Sequence, residues 1–177
     1  MKLRLLPVVV SVVVSSVVLF GGWFAYSSLA MENPLSDIIN QASGVEQSKI
    51  DLTADRVHIE LKLQPNADLR EIIHKISTEG ASIIGKRELK VEVTGESTPA
   101  LEDWWSKALF DVAQAMETKH YSDIPVSLNN RASELSGLKV ETEMDNKYVY
   151  IRLTEGDKSK FVMLPRVPAQ IGVWPNE

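Results

Sequence analysis

Between Arg4 and Glu32 the chain carries no charged residue, and this run of 27 residues constrains everything that follows. Its first part, residues 5–26, is dominated by Val, Leu and Phe. Wound as a helix, it rises ~33 Å, enough to cross a hydrocarbon core of ~30 Å. Pro7 falls in the first turn, where a missing N–H costs nothing. Ser11, Ser15 and Ser16 can bond back to helix carbonyls, which makes them tolerable in lipid. Trp23 and Tyr26 stand at the far end, where amphipathic rings favour the interface. The sequence therefore predicts a transmembrane helix over residues 5–26, a signal anchor.

The flanks set its orientation. Lys2 and Arg4 precede the run, and Glu32 and Asp37 follow it. The positive-inside rule then predicts a cytoplasmic stub at residues 1–4 and an extracytoplasmic remainder at 27–177, on a single-pass protein of the cell membrane. A cleaved signal peptide is the alternative, since Ser28-Leu29-Ala30 fits a small-x-small cleavage pattern. The apolar run exceeds the ~7–15 residues of an ordinary signal core, which argues for the anchor. Both readings export the rest of the chain. Ser11, Ser15 and Gly22 place small residues along one face, but scattered Ser and Gly are common in single spans.

The exported part contains no cysteine, so it has no disulfide framework, thiolate metal site or Cys nucleophile. Residues 27–50 read as a linker with a short helix over 36–42. From Asp51 the patterning becomes strong, and 51–177 suits one domain of ordinary size.

In 56–64, Val57, Ile59, Leu61 and Leu63 alternate with polar residues, the period of a half-buried strand. Pro65-Asn66 ends it, with Asn66 as N-cap of a helix over 67–79. A second strand is expected over 87–94. Thr98-Pro99 supplies an N-cap and N1 proline for a long helix reaching about His120. Its apolar stripe includes Leu101, Trp104, Trp105, Ala108, Leu109, Val112 and Met116. A shorter helix follows from Pro125 toward Leu135.

The last third reads as a meander. A two-residue turn at Asp145-Asn146 sets Val149 against Thr142 and Ile151 against Val140, inward. Glu141 then faces Tyr150, and Glu143 faces Tyr148, outward. A final strand covers 160–164. The apolar tail, ending in Trp174, is expected to dock beside the long helix. The expected fold class is thus α+β: β-α-β-α-α-β-β-β, one mostly antiparallel sheet with helices on one face.

The chemistry-bearing patterns are thin. Glu71-x-x-His74 and Glu117-x-x-His120 repeat a motif of di-iron bundles, but Glu71 and His74 point away from their helix's apolar stripe, and no four-helix bundle is available. No metal or other cofactor is expected. No nucleophile elbow, no His-Glu-x-x-His and no Ser-x-x-Lys placed at a helix start after a strand is present. Glu102-Asp103 is a common pairing with a helix dipole. Without Lys2 and Arg4 the remainder has 17 basic against 24 acidic residues, a net −7, which disfavours nucleic acid. A local basic group comprises Lys158, Lys160 and Arg166, with Lys86 and Arg87 elsewhere.

Trp104, Trp105 and Trp174 are the candidate interaction residues, with core packing as the competing reading. The sequence leads to a non-catalytic binding or assembly module in the cell envelope. Its expected partner is an envelope protein or a second copy of the chain. The alternatives are an envelope hydrolase acting on wall polymer or peptide, and a ligand-binding sensor.

Overall fold

A computed structural model describes residues 5–27 and 32–166. The first helix, α1, runs Leu5–Ser27. Its side chains are described continuously over residues 7–23, a rise of about 25 Å. Most are exposed, from Val8 to Phe20 and Trp23. Among the described residues no helix is long and apolar enough to cross a membrane. The fold therefore supplies a helix where a span is expected, and it does not by itself supply a crossing.

The remainder is α+β, but it holds two small sheets instead of the single sheet expected. The first module begins earlier than the sequence indicates, inside the stretch read as a linker. Helix α2, Asn33–Asn40, carries Pro34 in its first turn and buries Leu35 and Ile39. Strand β1 follows, Val45–Leu52. It is an edge strand with no fully buried residue, and a register shift between Val45 and Gln47 breaks its alternation. A polar, bulged edge strand carries almost no period-two signal.

Gly44 makes the turn into β1 at φ +88°, and a β-carbon there would lie 2.6 Å from Ala67 Cβ. Strand β2, Arg56–Leu63, pairs antiparallel with β1 and parallel with β3, Glu88–Thr94. Between β2 and β3 come α3, Leu69–Glu79, and a single turn, α4, Ala81–Ile84. The cap of α3 is Asp68, not Asn66: its carboxylate accepts from Glu71 N at 2.9 Å. Val57, Ile59 and Leu61 meet Ile72, Ile73 and Ile76 in a first core with Leu35 and Ile39.

The second module opens with α5, Pro99–Glu117. Thr98 Oγ1 accepts from Leu101 N at 3.1 Å and donates to Glu155 at 2.8 Å. Thr98→Ala is expected to destabilise the protein by about 1–2 kcal/mol, read from a denaturant melt, with Thr98→Ser close to wild type. The helix stops at Thr118, and Lys119 takes φ +59°. Helix α6 spans Asp123–Arg131.

Three antiparallel strands complete the module in the order β4, Leu138–Met144, β5, Tyr148–Glu155, and β6, Lys158–Pro165. One face of this sheet packs Val149, Ile151 and Leu153 against α5 and α6. The other face packs Tyr150 and Phe161 into the first core. The tyrosines expected on a wet face are thus an inter-module contact.

The hairpin register is shifted by two. Thr142 faces Ile151, Val140 faces Leu153, Glu141 faces Arg152 and Glu143 faces Tyr150. The turn is Asn146-Lys147, one residue later than expected, and Asp145 N donates to Tyr148 O at 3.0 Å. A shift of two leaves every side chain on its face, so the inward set is as expected while the partners are not. The expected docking of Trp174 falls on residues 167–177, outside the described residues.

Candidate functional site

Two surfaces carry the chemistry of this fold. The first is the cleft where the modules meet, about 420 Å³, walled by Ala67–Arg70 at the start of α3 and by the facing strands β4 and β5. Because α3 begins only at Leu69, the Ala67 carbonyl is free to accept from Arg152 Nη1 at 2.7 Å. The second Arg152 nitrogen pairs with Glu141. Arg70 Nε lies 3.6 Å from Glu143. Each cleft carboxylate thus has a structural occupation: Asp68 caps α3, Glu141 holds Arg152, and Glu143 faces Arg70.

Burial, followed by the neighbouring Asp68 carboxylate, raises Glu143 above its ordinary value despite Arg70. The lysines act oppositely on other acids: hydrogen bonds from Lys158 and Lys62 lower Glu96, and that from Lys160 lowers Glu102. A carboxyl raised by folding binds its proton more tightly folded than unfolded. Its favourable contribution is present at low pH and is lost as pH rises through the folded value. Lowered carboxyls contribute above the unfolded value and lose that contribution on acidification. Glu143→Gln should therefore melt at or above wild type at pH 7, while Glu102→Gln should melt below it. Both differences should shrink at about pH 3.5, as scanning calorimetry at the two pH values would show.

The second surface is an apolar groove of about 300 Å³ between α5 and the end of β6. Leu109, Val112, Ala113, Met116, Leu164 and Pro165 line it. Leu109, in its lining, is 40% exposed, and the next residue on α5, Phe110, is 78% exposed. Helical spacing explains the arrangement. Trp104, Trp105, Ala108, Val112 and Ala115 occupy the buried stripe, and Phe110 lies on the opposite side.

The residues expected from the sequence to form a partner surface divide differently. Trp104 and Trp105 are core residues, 4% and 8% exposed, and Trp104 Nε1 donates to Arg131 O at 3.1 Å. Trp174 lies outside the described residues. Phe110 was legible as an apolar residue out of phase with its helix's stripe, and aromatic size drew attention to the tryptophans instead.

The remaining candidates are dispersed. Glu71 and His74 are exposed on α3, as are Glu117 and His120 near the end of α5. The basic group does not form a free patch. Lys158 bonds Glu96 at 2.6 Å, and Lys160 bonds Glu102 at 2.8 Å. Arg166 stacks over Tyr121 at 4.7 Å. Arg87 donates to the carbonyls of Thr53 and Ile83. No family model, curated protein or solved structure matches this chain.

Proposed function

We propose that this chain is a membrane-tethered, non-catalytic assembly module of the cell envelope that binds protein through the exposed side of α5. The single observation behind the binding role is Phe110, 78% exposed on α5 and next in sequence to Leu109, which lines an apolar groove. A large aromatic held in water on a helix that also lines an apolar groove supplies the kind of anchor that docking surfaces use. The uncharged run at residues 5–31, flanked by Lys2 and Arg4, is what motivates the tether. The commitment of the cleft carboxylates to a cap and to ion pairs supports a structural role for the cleft.

The tether is tested by topology. The chain has no cysteine, so Lys86→Cys, at an exposed position, creates a unique thiol. It should react with an impermeant maleimide on intact cells, and protection until permeabilisation would refute the exported orientation. The docking face is tested with a photo-crosslinking amino acid at position 110 of the full chain in its membrane. An adduct of any mass, absent when the probe replaces Lys86, exposed in the first module, is the expected result. No adduct from position 110 would refute a docking role.

The hydrolase alternative rests on one feature, the proximity of Asp68 to Glu143 in the cleft. Hydrolysis of wall polymer or peptide that disappears in Asp68→Asn/Glu143→Gln would establish it over the assembly reading.

A further inference from the structure

We infer that the partner at the exposed side of α5 is a second copy of this chain, with the two α5 helices packed antiparallel about a twofold axis. The inference deepens the docking reading above and rests on it.

The charge order along the exposed side of α5 carries the argument. At ~100° per residue, Lys107, Phe110, Ala113 and Glu117 fall within about 120° of one another, and all four are exposed. Asp103, one turn before Lys107, is exposed in the same arc, so the stripe reads acid, base, large aromatic, small residue, acid. A second copy laid antiparallel, with its Ala113 beneath Phe110, returns its own Phe110 to Ala113 of the first copy, as a twofold interface requires. The same placement sets Lys107, one turn before Phe110, near Glu117 of the second copy, about one turn beyond Ala113. Symmetry makes two such pairs. A parallel arrangement would oppose Lys107 to Lys107, Phe110 to Phe110 and Glu117 to Glu117. The pattern therefore complements itself in one direction only.

Lys107 already bonds Asp103 at 2.7 Å. An ammonium has three donors and this one is 60% exposed, so it can take a second carboxylate without releasing the first. One helix pair around two phenylalanines is a small interface, weak between free molecules. Copies tethered in one membrane meet at raised effective concentration, which suits a weak contact.

Charge exchange tests the pairing in the full chain, with two epitope-tagged copies co-expressed and co-precipitated from detergent. Lys107→Glu alone opposes two acids across the axis, and Glu117→Lys alone opposes two bases. Each should lower its own self-association about tenfold. Mixed together, the two variants should recover wild-type pairing, because every Lys107–Glu117 position then joins opposite charges. Phe110→Ala should lower pairing by about tenfold or more, with an unchanged melting curve.

A mixture that pairs no better than either variant alone would overturn the inference. So would photo-adducts from position 110 only at masses other than twice the chain, which would keep the docking reading and remove the second copy. Loss of position-110 reactivity that is relieved by deleting residues 167–177 would assign the groove to the chain's own C-terminal segment, again overturning the inference.

Discussion

Trp104→Ala is expected to cost about 3–5 kcal/mol, the range for deleting a buried large aromatic. Trp104 is 4% exposed and sits between α5 and α6, its indole N–H held by the Arg131 carbonyl at 3.1 Å. Truncation removes packing against both helices and takes a donor from a helix-end carbonyl. At ~2–4 °C per kcal/mol for a chain of this size, the melting temperature should fall by about 10 °C or more. Trp104→Phe keeps most of the bulk and should cost much less. Phe110→Ala in the same helix should leave the melt unchanged, because its ring is already in water. Equal melts for Trp104→Ala and Phe110→Ala would refute the division of α5 into core and docking faces.

Asp145→Ala should cost about 2–4 kcal/mol, more than a surface turn residue normally would. One carboxylate oxygen accepts from Lys147 N at 2.6 Å and from Tyr148 N at 2.7 Å. The other accepts from the Tyr150 hydroxyl at 2.7 Å. The turn and an inter-module contact thus share one side chain. Tyr150 is 3% exposed, so losing its acceptor strands a buried hydroxyl. Tyr150→Phe removes that hydroxyl, and the double variant should be less destabilised than the two single changes added together.

Burial pushes Asp145 up, but its hydrogen bonds outweigh burial and hold it below the ordinary aspartate value. Tyr150 moves the other way: burial and the Asp145 carboxylate keep its phenol protonated far beyond the usual range. A lowered carboxyl contributes above its unfolded value and loses that contribution as pH falls through the folded one. The wild-type melt should therefore drop below about pH 4 with a component that Asp145→Ala lacks. Identical acid profiles would show that the hydrogen bonds do not stabilise the fold.

Several elements were legible because each buries one face and carries the corresponding period. Val57, Ile59 and Leu61 alternate along β2, while Ile72, Ile73 and Ile76 recur at helical spacing on α3. Thr98-Pro99 marks the start of α5. Local chemistry suffices for these, since an amphipathic segment has few ways to hide its apolar side. The same logic kept both faces of the β4–β5 hairpin even though its turn lies one residue later. A shift of two residues conserves the faces, so alternation cannot detect it.

Tertiary structure decided the rest. Whether six strands form one sheet or two depends on which edges pair, and backbone pairing leaves little trace in side-chain type. Strand β1 is stabilised by β2 and α2, and its own sequence is polar. Tyr150 and Phe161 look like the outer face of a meander until the first module covers them. The interaction site followed the same division. Residue type favoured the tryptophans, but burial is set by what packs against a helix, and α6 and the second sheet cover Trp104 and Trp105 while leaving Phe110 in water. The sequence by itself determined an uncharged N-terminal helix, an α+β chain and the inward face of each regular element. The three-dimensional packing alone decided how the sheets divide, which residues seal the modules together and which aromatic is left for a partner, because these depend on contacts between segments far apart in the chain.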